Sequence, residues 1–304
     1  MKNKINPPQV LSISKVHQLL KLKKPTNPLV SVIDLSTINI DTNEIEKTIS
    51  YNFFSIALKK NCDGFGYGQQ HYDFDEGVMS FIAPQQIVTP QKNVKLEPEG
   101  LLLIVHPDFF QNYSLAKTIR SYGYFFYEVH EGLYLSETEK ELVVDMMNNI
   151  SKEITSSIDL FTQDLIVSHI ELLLKYCDRF YHRQFLTRKM ATSDILTRLE
   201  DLLDKCFSEQ DLKLNGVPNV NFLASKMNMS PNYLTDMLRS LTGQTTQQLI
   251  HNKIIEKAKI LLSTTNLSVS EIAYSLGFDY PQSFQRLFKN LTKASPLEFR
   301  NFYN

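Results

Sequence analysis

Two stretches about fifty residues apart follow one local plan: LASKMNMSPNYLTDMLRSL from position 223 and IAYSLGFDYPQSFQRLFKN from position 272. A short apolar helix meets a residue suited to a sharp reversal, and a capped second helix follows whose outer face is polar. In the first copy Phe222, Leu223, Ala224 and Met227 form the apolar face, and Ala224 is small enough for another helix to cross closely. Asn228 takes the turn, because Asn is among the few residues besides Gly that tolerate φ > 0. Ser230 is placed as N-cap and Pro231 as the first helical residue, with Gly243 closing the helix. Tyr233, Leu234, Met237, Leu238 and Leu241 recur at helical spacing and face inward, leaving Asn232, Thr235, Asp236, Arg239 and Ser240 outside.

The second copy reaches the same design with different residues. Ser268 and Glu271 make a capping box, Ile272, Ala273 and Leu276 an inner face, Gly277 the turn, and Asp279 or Tyr280 the next cap. The following helix buries Phe284, Leu287, Phe288 and Leu291 and leaves Gln282, Gln285, Arg286 and Lys289 outside. A last helix opens at Ser295, with Pro296 at its first position and Glu298 completing a further capping box. The second turn is one residue longer than the first.

Two helices joined by a short turn, the second polar outside and apolar inside, is the arrangement that sets a helix into a DNA major groove. One such unit is a weak signal, since ordinary helical hairpins look alike; two in one chain are far more specific. Between them TTQQLIHNKIIEKAKILL, residues 245 to 262, is free of Gly and Pro. At 1.5 Å per residue it predicts a spacer of about 27 Å, near the roughly 34 Å between successive major grooves on one face of B-DNA. The net charge of -1 conceals an uneven distribution. From Leu212 onward the excess is about +5, which leaves about -6 for the rest, so the two parts have different electrostatic roles.

The remaining sequence predicts a second domain, and 304 residues at 42% hydrophobic suffice for two cores. From Val30 to about Val105, short runs rich in β-branched and aromatic residues (VSVIDL, TISYNFFSIALKK, VMSFIAPQQIVT, LLLIV) are separated by turn-formers, which reads as a barrel or sandwich. Which of Phe53, Phe54, Tyr67 and Phe81 points inward is open without the register. From about Ser136 the period becomes helical. Leu142, Val143, Met146 and Ile150 share one face, and Ile166, Ile170, Leu173, Cys177 and Phe180 share another, in alternating steps of four and three. Those helices cover the β-domain, and the second row is also the candidate dimer contact. DRFYHRQFLTRKM, from Asp178, predicts a continued helix or ordered connector, with the boundary near 185 to 195.

Other classes find little support. LLLIV is far shorter than the roughly 20 residues of a membrane crossing, and MKNKINPPQV has no apolar segment behind its basic residues, so neither membrane insertion nor export is expected. Cys62, Cys177 and Cys206 show no metal or disulfide spacing, which favours the reducing cytoplasm. No Ser/His/Asp set, phosphate loop or carboxylate pair stands out. His71, in GYGQQHYDFDEG beside Asp73, Asp75 and Glu76, is a lone imidazole where a metal site needs several ligands.

Residues about 212 to 304 resemble the DNA-binding domain of the AraC/XylS family of bacterial transcription regulators, through ASKMNMSPNYLTDMLRSLTG, AKILL, SVSEIAYSLGFDYPQSFQRLFKN and SPLEFR. The region from about 30 to 180 is similar to that family's cupin-like regulatory domain with following dimerisation helices. The resemblance implies an α+β chain: residues 1–185 a cupin-like β-barrel with helices, residues 195–304 an all-α pair of helix-turn-helix units. It implies base contacts from Asn232, Thr235 and Asp236 in the first unit and from Pro281, Gln282, Gln285 and Arg286 in the second. Lys226, Ser230, Arg239, Lys253, Lys289 and Lys293 are the expected phosphate ligands. Lys253 substitutes for an arginine that the family usually carries where this chain has Ile254, and Asp236 departs from the basic or polar residue usual there. The implied partners are double-stranded promoter DNA, a small-molecule effector, a second copy of the chain and RNA polymerase, with no cofactor. The rival reading is a metal-dependent cupin enzyme with an appended helical domain.

Overall fold

The strand-like runs pair into two sheets in the computed structural model, which describes residues 9–38, 49–60, 77–88, 99–157, 159–187 and 189–303. In chain order the first elements are β1 (Gln9–Leu11), α1 (Ile13–Leu19), β2 (Val30–Asp34), β3 (Ile49–Tyr51), β4 (Phe54–Lys60), β5 (Val78–Ile82), β6 (Ile87–Val88), β7 (Glu99–Val105), α2 (Leu115–Thr118) and β8 (Leu133–Tyr134). One sheet runs β2-β7-β4-β5-β8, with all its pairs antiparallel. The other runs β1-β3-β6, with β1 and β3 parallel. The unbroken apolar run LLLIV follows from its place in the larger sheet: β7 has β2 and β4 as neighbours, and Leu103, Ile104 and Val105 are all buried. A strand covered on both faces has no reason to alternate.

Ile104 joins Leu11, Ile13, Val16, Ile33, Leu35, Ile38 and Phe53 in one apolar core, so the two sheets share an interior with α1. Phe54, adjacent to Phe53, instead packs on Phe110 and Phe125, while Phe81 packs on Tyr124, Phe125 and Tyr181. Tyr67, Cys62, His71, Asp73, Asp75 and Glu76 lie outside the described residues. The chain is a mixed α+β protein, with a β-sheet N-terminal region followed by helices.

Two long helices follow, α3 (Glu137–Thr155) and α4 (Thr162–Thr187). A reciprocal capping box between Ser136 and Glu139 starts α3, which buries Val143, Met146, Met147, Ile150 and Ile154. On α4 the row Ile166, Ile170, Leu173, Cys177 and Phe180 is buried, and the Cys177 sulfur lies 3.8 Å from that of Met79 on β5. Those four candidate dimer residues, Ile166, Ile170, Leu173 and Cys177, are therefore interior packing and present no surface to another chain. Polar bonds extend the contact: Tyr124 donates to the Leu174 carbonyl at 2.9 Å, Tyr181 to that of Glu131 at 3.1 Å, and Arg183 bridges Glu139 and the Tyr134 carbonyl. Burial pushes the Cys177 thiol far above its ordinary range, as befits a packing residue.

The chain divides into two units, Met1–Gln184 and Phe185–Asn304. The second contains α5 (Lys189–Cys206), α6 (Glu209–Asn215), α7 (Val220–Met227), α8 (Pro231–Thr242), α9 (Thr246–Thr264), α10 (Val269–Ser275), α11 (Pro281–Thr292) and α12 (Pro296–Tyr303). Among the described residues, no helix is long and apolar enough to cross a membrane.

Candidate nucleic-acid interface

The repeated sequence plan becomes a repeated backbone. At the end of α7, Asn228 adopts φ 56° and ψ 46°, and the Met229 amide reaches back to the Ala224 carbonyl at 2.9 Å. At the end of α10, Gly277 has φ 82°, and the Phe278 amide reaches the Ala273 carbonyl at 3.0 Å. This is one helix-ending motif made twice, with a left-handed residue letting the chain double back to satisfy terminal carbonyls. The extra residue of the second copy lies between Phe278 and the start of α11. The two first helices bury Leu223, Ala224 and Met227 in one unit and Ile272, Ala273 and Leu276 in the other.

Each second helix then starts on a proline. Ser230 caps α8 by accepting from the Tyr233 amide at 3.2 Å, and α8 ends at Gly243, φ 73°. α11 follows Tyr280, whose side chain makes no capping bond, so neither Tyr280 nor Asp279 supplies a side-chain cap. Tyr233, Leu234, Met237 and Leu238 are buried under α8, and Phe284 and Phe288 under α11. Two assignments differ at the edges of the apolar arcs: Phe222 is 40% exposed and Leu291 45%. The Lys226 ammonium lies over the Phe222 ring, 5.6 Å from its centre, so that ring serves a surface cation rather than the core.

The spacer α9 packs against both α8 and α11, and its 19 residues span about 28 Å. A capping box between Thr245 and Gln248 opens it, and Ile250, Ile254, Ile255, Ala258 and Leu262 are buried. Ile254 thus serves packing at the position where an arginine was expected. Arg300 on α12 fastens the far end, donating to the Leu262 carbonyl at 3.2 Å and the Leu267 carbonyl at 2.6 Å. The sequence shows only a cation there, since carbonyl partners leave no trace in residue type. The capping carboxylates Glu271 and Glu298 are held below their ordinary range by backbone hydrogen bonds at Ser268 and Ser295.

The outer faces hold the expected contact residues in different states. Asn232, Gln282, Gln285, Arg286, Lys226, Lys289 and Lys293 are exposed, and Pro281 is partly exposed at the start of α11. Thr235 is half-buried, with its hydroxyl 3.1 Å from that of Thr246. Asp236 accepts from Arg239 at 2.8 Å. The Lys293 ammonium donates to the Asn290 carbonyl at 3.0 Å. Lys253 is ion-paired with Asp204 on α5 at 2.7 Å, and that hydrogen bond raises its pKa. Ser230 is 3% exposed and its hydroxyl is committed to the helix cap, which removes it from the phosphate ligands. Lys257, not singled out by sequence, donates to the Phe207 carbonyl and ties α9 to the end of α5.

Two helix-turn-helix units joined by a spacer helix define the class of this unit, and comparison places it further. Residues 223–301 match the helix-turn-helix domain family. The chain is 31% identical over 158 residues to the uncharacterized HTH-type transcriptional regulator YfiF of Bacillus subtilis, covering 52% of this chain and 46% of that protein. It is 36% identical over 120 residues to the arabinose operon regulatory protein of Salmonella typhimurium, covering 38% of this chain and 43% of that one. Among solved structures it is similar to the C-terminal domain of AraT, a response regulator from Geobacillus stearothermophilus, at 30% identity and TM-score 0.32 over 36% of this chain and 84% of that one. The C-terminal unit is an AraC-type helix-turn-helix DNA-binding domain, and its curated relatives are AraC-family regulators. The matches span less than half the length of either curated relative.

Proposed function

We propose that the chain is a cytoplasmic transcriptional regulator whose α8 and α11 enter successive major grooves of promoter DNA. One observation carries the reading: the same left-handed turn, made by Asn228 and by Gly277, twice sets an amphipathic helix with an exposed polar face against one spacer. The charge excess of about +5 from Leu212 onward favours a polyanion. Lys226, Lys253, Lys289 and Lys293 are the phosphate ligands in this reading, with Lys253 exchanging Asp204 for the backbone, while Arg239, expected among them, is held by Asp236. Base contacts come from Asn232, Pro281, Gln282, Gln285 and Arg286, while Thr235 and Asp236, expected beside them, are engaged with Thr246 and Arg239.

Measured binding of the full chain to its promoter in rising salt should lose affinity steeply. Each phosphate contact adds about -0.9 to the slope of log K against log salt, so four predict roughly -3.6. A slope near zero would remove the electrostatic basis of the reading.

The N-terminal unit is assigned the regulatory role, as a cupin-like domain receiving a small-molecule effector, with RNA polymerase as the further partner at the promoter. Its two sheets around a common apolar core suit that assignment. Dimerisation moves to the outer face of α4 and its preceding turn, where Phe161, Leu165 and Leu172 are exposed at seam spacing. Sedimentation should show a dimer that Leu172→Glu converts to monomer; a monomeric parent protein would dispose of this interface. The rival reading is a metal-dependent cupin enzyme with an appended helical domain, and metal analysis of the purified chain separates the two, since stoichiometric bound metal would favour the enzyme.

A further inference from the structure

The repeated units are alike in backbone and unlike in what their outer faces leave available. On α11, Gln282, Gln285 and Arg286 are exposed and make no hydrogen bond or ion pair with the protein among the described residues. Two amides and a guanidinium stand ready for adenine and guanine edges. On α8 the corresponding groups are already engaged. The Thr235 hydroxyl meets that of the buried Thr246, and the Asp236 carboxylate, with its side chain 27% exposed, holds the Arg239 guanidinium at 2.8 Å. Asn232 is the exposed amide that remains on this face.

Most hydrogen-bonding atoms on the major-groove edges are acceptors, and the phosphates are anions, so a carboxylate there is repelled except by the amino groups of cytosine and adenine. Held one helical turn from Asp236, Arg239 can pair fully with a phosphate or guanine only by giving up its acid. We propose that sequence discrimination is concentrated in α11, and that Asp236, by holding Arg239, keeps α8 a weakly discriminating anchor. This rests on the DNA-binding reading above and adds a division of labour within it. A bound site then has one tightly constrained subsite and, about one helical turn away, a permissive one.

The test is selection of bound fragments from random DNA by the full chain, with the parent protein and with Asp236→Ala, together with affinities on one selected fragment. Thermal unfolding of both proteins confirms that each is folded. The parent should yield two subsites of clearly unequal constraint. Asp236→Ala should bind the fixed fragment roughly two- to fivefold more tightly, on the scale of one exposed ion pair. Its salt slope should steepen by about one contact, and new constraint should appear at the permissive subsite. Equal constraint at both subsites of the parent would overturn the proposal. So would a variant that binds more weakly and loses a cytosine or adenine preference, because Asp236 would then itself be a reader. Absence of any DNA binding by the folded parent would instead defeat the DNA-binding reading on which the proposal stands.

Discussion

Gly277→Ala is expected to destabilise the C-terminal unit by about 3 kcal/mol, combining left-handed backbone strain with overpacking. Gly277 has φ 82°, and a Cβ there would lie 2.9 Å from the Cα and carbonyl carbon of Gly216 and 3.0 Å from the Leu212 carbonyl oxygen. These are backbone atoms at the end of α6, which cannot rotate aside as a side chain could. Gly243→Ala separates the two contributions. It too has positive φ, 73°, but nothing lies within 4 Å of its Cβ position, so its cost should be only the strain of about 1 to 2 kcal/mol. Urea unfolding followed by circular dichroism measures both. Equal losses would mean that the approach of Gly216 to Gly277 is unimportant to the fold. A larger loss for Gly277 should be accompanied by weaker DNA binding, since α10 packs on α6 through this point and leads directly into α11.

Arg286→Ala should reduce discrimination between the best DNA site and a scrambled fragment by about 1 to 3 kcal/mol, the value of one bidentate base contact. Arg286 is exposed in the middle of α11, beside Gln285 and one turn from Gln282, with its apolar neighbours Phe284 and Phe288 fully buried beneath. Truncation therefore removes a surface group without opening the core. Competition binding gives the ratio directly. Lys226→Ala supplies the contrast, lowering affinity for both fragments alike, because a phosphate contact carries no sequence information. An unchanged ratio for Arg286→Ala would take away its assignment as a reader.

Asn228, Gly277 and the Ser268–Glu271 and Ser295–Glu298 pairs could be placed from sequence because the forces concerned act within five or six residues. Left-handed φ selects Asn or Gly, and a helix start selects a hydroxyl followed by an acid three positions on. Periodicity located the inner faces and failed at their margins. Phe222 and Leu291 fit the apolar arc, yet exposure depends on how far the neighbouring helix reaches across it. For Ser230, one hydroxyl could cap a helix or meet a phosphate; the cap prevails because the Tyr233 amide is already in place and water is excluded.

The α4 row shows the same limit on a larger scale. Alternating steps of four and three announce that a face will be covered, but the covering surface could be this chain or another. Met79 and the Leu174 carbonyl contact settle that it is this chain.

What the chain's order of residues determined by itself, then, is where helices and strands begin, end and turn, and that one amphipathic pair is built twice, since these are short-range steric and hydrogen-bonding preferences. Only the tertiary structure decided that Phe53 and Phe54 enter different parts of the interior, that Asp204 holds Lys253, and that α6 ends against Gly277. Which part of the interior each phenylalanine meets depends on how distant elements pack around it, and the other contacts join groups whose approach is set by helix packing rather than by residue type alone.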